Sequence, residues 1–356
     1  MLRRILSSIL ALLTVTAFAN PLTAENYLQK LSPGINLGNT LEAIPTQTSW
    51  GNPKPTQAWF HAVRAAGFRS VRIPAAWTQY APEKHQIGPK WMANVTDVVK
   101  MALRESLYVV LNIHWDGGWM QPTTAARPLA EAKLASFWKQ IATNFRDFDD
   151  RVLFAGTNEV HVDDNYDAPT PENATVQNSF NQIFVNTVRA TGGKNKARWL
   201  VVQGYNTDID HALKVNLALP KDSAKGRLMM ELHYYSPYNF ALNEKSDIWQ
   251  WGAAATDPKA TETWANEAYV DTQFQRVKSA FIDRGVPVLL GEYGAYLKPK
   301  FPDMRRYQLD WVRYVTHSAH RHGLVPMYWD TGALFDRSTG ARRDPGVIRE
   351  IIGAAR

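Results

Sequence analysis

The sequence predicts an α/β protein built as a single (β/α)8 TIM barrel, and three observations support this fold class. Apolar runs typical of β-strands alternate from end to end with stretches of helical periodicity. Eight such strands can be counted, most of them followed by a helical segment, as a (β/α)8 barrel requires. Several strands are continuous apolar or β-branched runs, which is typical of parallel strands buried on both faces.

Each of the eight predicted strands ends in a polar, aromatic or turn-forming residue. They cover residues 34–39, 69–74, 108–115, 152–159, 199–204, 228–235, 286–294 and 325–332. A doubly wound open sheet would also alternate strands with helices. That alternative is disfavoured because no G-x-G-x-x-G phosphate loop follows the first strand.

The helical segments are recognised by apolar residues at 3.6-residue spacing. They include Met92, Val95, Val99 and Ala102 in one segment, Leu134 to Phe145 in a second, Phe274 to Phe281 in a third and Leu309 to Val315 in a fourth. Gly67, Gly285 and Gly323 stand where helices should end. The fifth unit is the weakest, since residues 210–219 are short for a full helix. Residues 236–260 are predicted to form a long loop over the active face.

The N-terminus has the three parts of a secretory signal peptide. A short basic start containing Arg3 and Arg4 precedes an apolar stretch, and Ala17-Phe18-Ala19 offers a small-x-small cleavage site. The apolar stretch is short for a membrane anchor, which needs about 20 residues. We therefore expect residues 1–19 to be a signal peptide, residues 20–356 to form one catalytic domain, and the protein to be secreted, either extracellular or periplasmic, with no membrane partner after cleavage.

Composition excludes some classes of function. The chain has no cysteine, so the fold must depend on a large hydrophobic core rather than on disulfides. The net charge of +7 arises from scattered Lys and Arg, without a basic stripe interleaved with aromatics, so we expect no nucleic-acid partner. The 13 Trp suit the apolar faces of sugar rings, although more than half of them should fill the core.

Polar and aromatic side chains stand near the ends of the predicted strands. In chain order they are Asn36, Asn39, Arg72, His114, Trp115, Asn158, Glu159, His233, Tyr235, Glu292, Trp329 and Asp330. In a (β/α)8 barrel these ends open into one pocket, where reacting groups lie. Glu159 and Glu292 would face each other across it, and two carboxylates flanking a bond are what glycoside hydrolysis requires.

The neighbouring residues indicate how the two carboxylates divide the work. Arg72 beside Glu292 would keep that carboxylate ionised, as a nucleophile must be, and Tyr235 can donate a hydrogen bond to the same oxygen. Glu159, partly desolvated and close to a second negative charge, would have a raised pKa suited to an acid/base. Asn158 can bond the sugar 2-hydroxyl.

The same residues carry a family resemblance. The runs GINLGN from Gly34, VRIP from Val71, NIH from Asn112, TNE from Thr157, HYY from His233, GEYG from Gly291 and YW from Tyr328 resemble glycoside hydrolase family five, in the family's order. The resemblance implies a (β/α)8 barrel and a retaining mechanism with Glu159 as acid/base and Glu292 as nucleophile. It also implies supporting roles for Arg72, His114, Asn158, His233, Tyr235 and Trp329, with Trp329 as the platform beneath the sugar.

The chain departs from the family pattern at two positions. Val160 follows the catalytic acid where the family usually has proline, and Trp115 follows His114 where histidine is frequent. Neither change removes a reacting group, but both alter contacts to the substrate. Trp50 resembles members that act on β-1,4-glucans, so we include it with Asn36, His114, Trp115 and Trp329 among the substrate-binding residues.

Other chemistries have weaker support. His317, His320 and His322 cluster late in one helix without a nearby carboxylate set, so we expect no metal site and no cofactor. An enolase-type metal barrel would need several clustered acids together with a lysine or histidine base. The strand ends offer only two glutamates and no lysine. We expect Asp330 to be structural. The substrate is predicted to be a cellulose-like or mixed-linkage β-glucan cleaved at internal β-1,4 bonds; mannan and xyloglucan are same-family alternatives, and a non-catalytic carbohydrate-binding barrel is the alternative of another class.

Overall fold

The computed structural model describes residues 24–214 and 218–356. Within these ranges the strands are β1 (Gly34–Asn36), β2 (Ser70–Ile73), β3 (Tyr108–Asn112), β4 (Val152–Ala155), β5 (Leu200–Gln203), β6 (Leu228–Tyr234), β7 (Val288–Tyr293) and β8 (Leu324–Tyr328). All neighbours pair in parallel in chain order, and β8 pairs with β1 to close the barrel. The predicted (β/α)8 fold is therefore confirmed.

Helices connect the strands around the outside of the barrel. They are α1 (Ala24–Leu31), α2 (Gln57–Ala66), α3 (Pro89–Arg104), α4 (Arg127–Asn144), α5 (Pro171–Ala190), α6 (Ile209–Lys214), α7 (Tyr238–Ala241), α8 (Glu267–Ala280), α9 (Met304–Arg321) and α10 (Pro345–Ala354). The short α6 agrees with the weak fifth unit of the sequence. Gly67, Gly285 and Gly323 all have positive φ at helix ends, as predicted. Of the helices described, none is both long and apolar enough to cross a bilayer.

The inside of the barrel changes from apolar to polar along its axis. Alternate strand residues form one apolar cluster that includes Val110, Leu153, Val201, Met229, Leu289 and Val325. Because side chains alternate across a strand, residues two positions further along point to the same interior. There the side chains are polar and fully buried: Asn36, Arg72, Asn112, Gln203 and Glu231. The apolar layers fill the barrel, and the polar layer forms the floor of the site.

The observed strands are shorter than the predicted runs. Pairing ends at Asn36, Asn112, Ala155 and Tyr328, so Asn39, His114, Glu159 and Trp329 lie in the loops just beyond. The predicted runs combined the paired strand with the first residues of each loop, because both are apolar or buried. These loop residues are still held by hydrogen bonds: the N–H of His114 donates to the carbonyl oxygen of Ala75, and that of Trp329 to the carbonyl oxygen of Tyr293, both at 2.9 Å.

The predicted long loop after β6 is partly a packed element. Phe240 and Trp251 are buried in the core, whereas Tyr238 is exposed. The ammonium group of Lys298 in the β7 loop donates to the carbonyl oxygens of Asn239 and Ile248, both at 2.6 Å. The loop is thus tied to its neighbour rather than hanging freely over the active face.

Tryptophan divides between core and surface much as the composition suggested. Seven of the 13 Trp are buried: Trp59, Trp77, Trp91, Trp138, Trp199, Trp251 and Trp311. Trp50, Trp115 and Trp264 are the most exposed ones. The exposed indoles are the ones with faces free for a ligand.

Candidate active site

Two carboxylates meet at the C-terminal mouth of the barrel. An oxygen of Glu159, which follows β4, lies within 4.8 Å of an oxygen of Glu292 on β7. Retaining glycosidases hold their two carboxyl groups about 5–5.5 Å apart, and inverting ones hold them about 6.5–9.5 Å apart. The separation therefore fits the geometry for a covalent, double-displacement reaction.

Arg72 is the structural centre of the polar floor. The guanidinium is fully buried. Its Nη1 donates to Glu292 Oε1 at 2.8 Å and to Asn36 Oδ1 at 3.0 Å. Its Nη2 donates to Asn158 Oδ1, and its Nε forms an ion pair with Glu231 Oε1 at 2.7 Å. One planar cation thus orients groups from four strands or strand ends, including the predicted partner Glu292.

Glu292 accepts a second hydrogen bond at its other oxygen. The hydroxyl of Tyr235 donates to Oε2 at 2.9 Å. The predicted bond is present, but to the oxygen opposite the one that Arg72 contacts. Each carboxylate oxygen therefore has its own donor, which fixes the carboxylate plane.

The pKa of Glu292 differs from the expectation. Burial raises it, the positive charges of His233 and Arg72 lower it, and the negative charge of Glu159 raises it, with a net rise above the ordinary value. The sequence led us to expect Arg72 to keep this carboxylate fully ionised. The contact exists, but burial and the second carboxylate outweigh it.

Glu159 is within hydrogen-bonding distance of His233. His233 Nδ1 lies 2.7 Å from Glu159 Oε1. Burial raises the pKa of Glu159, but the hydrogen bond and positive charge of His233 lower it below the usual range. Burial lowers the pKa of His233, but the charge of Glu292, the hydrogen bonds to Glu159 and Glu231 and the charge of Glu159 raise it to about 9. The expected raised pKa of Glu159 is wrong for this arrangement, because the hydrogen bond and the positive charge of His233 outweigh burial.

The backbone at Glu159 is also unusual. Its φ of 45° lies in the left-handed region, which is uncommon for a residue with a side chain. Its N–H donates to Gln203 Oε1 at 3.2 Å, and that bond ties the β4 loop to the end of β5. Strained backbone of this kind clusters at functional sites. The side chain remains 38% exposed, so a ligand can reach it.

The predicted substrate-contact residues fall into two groups. Asn36 is fully buried, and its amide donates to the carbonyl oxygens of Gly291 at 2.9 Å and Met327 at 3.1 Å. It therefore supports the floor and does not face a ligand, so the prediction of substrate contact is wrong for Asn36. Trp115 and Trp50 are 48% and 43% exposed, which leaves both indoles free to stack on a sugar.

His114 and Trp329 form a wall of the mouth. Their rings stack at 5.6 Å with an interplanar angle of 11°. Burial, Arg72 and His233 all lower the pKa of His114 well below its ordinary value, so its ring is neutral. Trp329 stays partly exposed. A neutral, flat surface of this kind suits the apolar face of a pyranose.

Asp330 is structural, as expected. It is fully buried and paired with Arg337 at 2.8 Å, and its Oδ1 accepts the N–H groups of Gly332 and Leu334. Arg337 also donates to the carbonyl oxygen of Gly38 at 3.0 Å. This buried pair joins the β8 loop to the β1 loop and so holds Trp329 in place.

The sequence did not indicate two buried glutamates near the site, Glu231 and Glu42. Glu231 lies on β6 beneath His233, whose Nε2 is 3.3 Å from Glu231 Oε1. Its signal was its position two residues before His233, which places both on the same face of the strand. Glu42 accepts the backbone N–H groups of Asn39 and Thr40, and burial raises its pKa to about 7. Glu42 lies in a loop, where side chains do not alternate between two faces as they do along a strand, so its sequence position gives no comparable indication.

The described residues hold one grouping that could bind a cation. It consists of Glu159, His233 and Glu292, the same residues as the carboxylate pair. The buried cation Arg72 and the raised pKa of His233 oppose cation binding there. His317 and His320 near the end of α9, with His322 just after it, do not form such a group.

Comparisons with known proteins agree with this geometry. The family model described as Cellulase (glycosyl hydrolase family 5) matches residues 35–334. The chain is 41% identical to the xyloglucan-specific endo-β-1,4-glucanase BoGH5A of Bacteroides ovatus, over 93% of this chain and 70% of that protein. It is 37% identical to endoglucanase A of Paenibacillus barcinonensis, over 93% and 90%. The solved Bacteroides ovatus GH5 xyloglucanase with a XXXG heptasaccharide superposes with a TM-score of 0.90 at 40% identity, covering 96% of this chain and 78% of that one.

Proposed function

The chain belongs to glycoside hydrolase family 5, and we propose that it is a retaining endo-β-1,4-glucanase in which Glu159 is the acid/base and Glu292 the nucleophile. The observation that carries this proposal is the pair of carboxylates whose oxygens lie within 4.8 Å across the barrel mouth. That separation leaves room for the anomeric carbon but not for an attacking water beside the second carboxylate.

In the first step, a carboxylate oxygen of Glu292 attacks the anomeric carbon while the glycosidic C–O bond breaks. Glu159 gives a proton to the departing oxygen, so the leaving sugar departs as an alcohol. His233 supplies that proton. Its Nδ1 lies 2.7 Å from Glu159 Oε1, so the proton can pass from Nδ1 to the Glu159 carboxylate. Once the proton has moved, His233 is neutral and Glu159 is the acid.

In the second step, water attacks the same carbon and the bond to Glu292 breaks. Glu159, now ionised, takes the proton of the water, so the two inversions give net retention. Arg72 and Tyr235 hold the Glu292 carboxylate that leaves. Asn158, whose Oδ1 accepts from Arg72, offers its amide nitrogen to the sugar 2-hydroxyl.

The first substrate class we propose is cellulose-like or mixed-linkage β-glucan. Exposed Trp50 and Trp115, with the partly exposed Trp329 that stacks on His114, provide flat surfaces for glucosyl rings. Xyloglucan is the second candidate, because the Bacteroides ovatus relative is named as specific for it. Mannan remains the third.

A substrate panel separates these candidates. Reducing ends released from carboxymethylcellulose, barley glucan, lichenan, xyloglucan and mannan should show faster turnover of glucan backbones than of mannan. A protein that turned over mannan far faster than every glucan would contradict the substrate proposal. Binding without release of reducing ends would support the non-catalytic barrel, although both carboxylates and Arg72 are present.

We also propose that the protein is secreted. Residues 1–19, which carry the signal-peptide pattern, lie outside the described residues, so the proposal rests on the sequence. Mass spectrometry of protein recovered from the medium or periplasm should give an N-terminus at Asn20. A protein that keeps Met1 and stays with the cell would contradict it.

A further inference from the structure

Glu231 is a third carboxylate at the site that the proposed reaction does not use. It lies on β6 inside the barrel, with no exposed surface. Its Oε1 is 2.7 Å from Arg72 Nε and 3.3 Å from His233 Nε2. Glu231 therefore lies below Glu159 and Glu292, where no sugar can touch it. It nevertheless contacts Arg72 and His233, the two cations that pair with those carboxylates.

The two neighbours of the His233 ring restrict its protonation. Nε2 faces the carboxylate of Glu231, and Nδ1 faces the carboxylate of Glu159. An ionised carboxylate only accepts hydrogen bonds. Nε2 must therefore carry a proton, and a second proton is shared between Nδ1 and Glu159. Without Glu231, the neutral ring could instead carry its single proton on Nδ1.

We propose that Glu231 is a positioning residue of this site, which holds the Nε2 proton of His233 and the Nε side of Arg72 so that the mobile proton lies between His233 Nδ1 and Glu159. This inference deepens the proposed function and rests on it for the role of Glu159. It assigns Glu231 no contact with substrate.

The surrounding charges support this role. The ring of His233 is faced by Glu231 from its own strand, by Glu159 after β4, by Glu292 on β7, and by Arg72 and His114 from β2 and the β3 loop. Burial raises the pKa of Glu231, but the charge of Arg72 and the hydrogen bond and charge of His233 lower it to about 2. Glu231 is therefore a permanent anion, and a buried anion favours the charged imidazolium.

The backbone is also shaped around Glu231. A Cβ atom at Gly291 would lie 2.0 Å from Glu231 Oε1, so only glycine fits at this position of β7. The carbonyl oxygen of the same glycine accepts from Asn36. The neighbouring strand thus approaches closely enough to confine the carboxylate in one position.

The test is a nitrogen NMR titration of the histidines in the full chain, with the His233 signals assigned by their loss in His233→Gln. In the parent protein, both ring nitrogens of His233 should be protonated at neutral pH. In Glu231→Gln, which keeps the side-chain size, the apparent pKa of His233 should fall by more than about one pH unit, since a neighbouring opposite charge shifts a pKa by about 1–3 units. The alkaline limb of kcat/KM should move to lower pH by a similar amount, with little change in KM.

Two further variants make the result specific. Glu231→Asp keeps the negative charge and should restore most of the His233 pKa. Glu83→Gln removes an exposed carboxylate from the surface and should leave the titration unchanged. A neutral His233 in the parent protein, or an unchanged titration in Glu231→Gln, would overturn the proposal.

The parent measurement decides the outcome even where Glu231→Gln does not fold. A doubly protonated His233 then supports the proposal, and a neutral one refutes it. NMR titration needs no turnover, so a protein that showed the expected shifts but hydrolysed no glucan would refute the proposed function alone.

Discussion

Arg72 Nη1 lies 2.8 Å from Glu292 Oε1, although the two residues are 220 positions apart and belong to β2 and β7. The same guanidinium pairs with Glu231. A single buried cation therefore compensates two buried carboxylates, and this relationship connects the stability of the barrel to the chemistry at its mouth.

Replacement of Arg72 should destabilise the fold as well as the site. Arg72→Met would leave Glu231 and Glu292 buried without their cation, and breaking a buried pair costs about 3–5 kcal/mol. Urea unfolding at neutral pH measures this loss. Arg72→Lys keeps the charge but lacks the planar fork, so it should recover part of the stability and little of the activity. A loss below about 1 kcal/mol in Arg72→Met would show that the pair is not structurally important.

Removal of the Tyr235 hydroxyl should slow the reaction without unfolding the protein. The bond to Glu292 is a hydrogen bond to a charged group, worth about 1.5–3 kcal/mol, so Tyr235→Phe should lower kcat about 10- to 100-fold. Tyr293→Phe is the matched control: it removes a buried hydroxyl next to Glu292 in sequence, bonded instead to Thr316. Equal losses in both variants would argue against a specific role for Tyr235.

The exposed tryptophans should affect substrate affinity more than chemistry. Trp115→Ala and Trp50→Ala each remove an indole face, and an aromatic stacking contact contributes about 0.5–1.5 kcal/mol. KM for a soluble glucan should rise about 2- to 10-fold, with kcat nearly unchanged. Trp264→Ala is the control, because this exposed indole packs edge-on against Tyr269 of α8. Unchanged KM in Trp115→Ala would place the glucan elsewhere.

Stability should fall on the alkaline side of the pH range. The pKa of His233 is raised from 6.5 to about 9 in the folded chain. Its contribution is therefore fully present below pH 6.5 and is lost as the pH rises through about 9. The pKa of Glu231 is lowered from 4.5 to about 2, so its contribution is present above pH 4.5 and is lost as the pH falls through about 2.

Thermal unfolding followed across this range tests the alkaline loss. Glu42 adds a second loss: its pKa is raised from 4.5 to about 7, so the stability it contributes when protonated decreases between those values. A Glu42→Gln background removes the loss of stability that comes from Glu42 and leaves the loss that comes from His233. Stability that stayed constant up to pH 9 in this background would contradict the His233 assignment.

Glu159→Gln should show a dependence on the leaving group. General acid assistance contributes about 10²–10⁴-fold, so hydrolysis of a β-glucan or an alkyl cellobioside should fall by that factor. A dinitrophenyl cellobioside needs no proton to depart, so formation of the glycosyl-enzyme should stay near the parent rate. Glu172→Gln, an exposed carboxylate at the start of α5, is the control. Equal losses for good and poor leaving groups would show that Glu159 is not the acid.

The barrel could be predicted from the sequence because each strand and helix is recognised from its own short run of residues. Buried parallel strands are continuous apolar runs, and the barrel places every strand end at one face. That rule was enough to bring Glu159, Glu292, Arg72 and Tyr235 into one pocket. It gave strands that were too long, since apolar loop residues continue the pattern of the strand.

The rest depended on side-chain geometry. Glu231 was missed because only strand ends were considered, although it lies two positions before His233 on the same face of β6. The pKa of Glu159 was predicted wrongly because the His233 ring approaches it from another strand, and spacing along the chain contains no such distance. Asn36 was assigned to the substrate because its position near a strand end does not reveal that its side chain points beneath Arg72.

Trapping the covalent intermediate tests the carboxylate assignment most directly. A dinitrophenyl 2-deoxy-2-fluoro-β-cellobioside should inactivate the protein in one turnover, because the fluorine slows both steps, whereas the activated leaving group speeds formation of the glycosyl-enzyme and leaves its hydrolysis slow. Peptide mass spectrometry should then find the fluorosugar on Glu292. Label on Glu159 would reverse the two roles. Turnover without any covalent label, with the α-anomer as the first product by NMR, would show an inverting reaction and contradict Glu292 as the nucleophile.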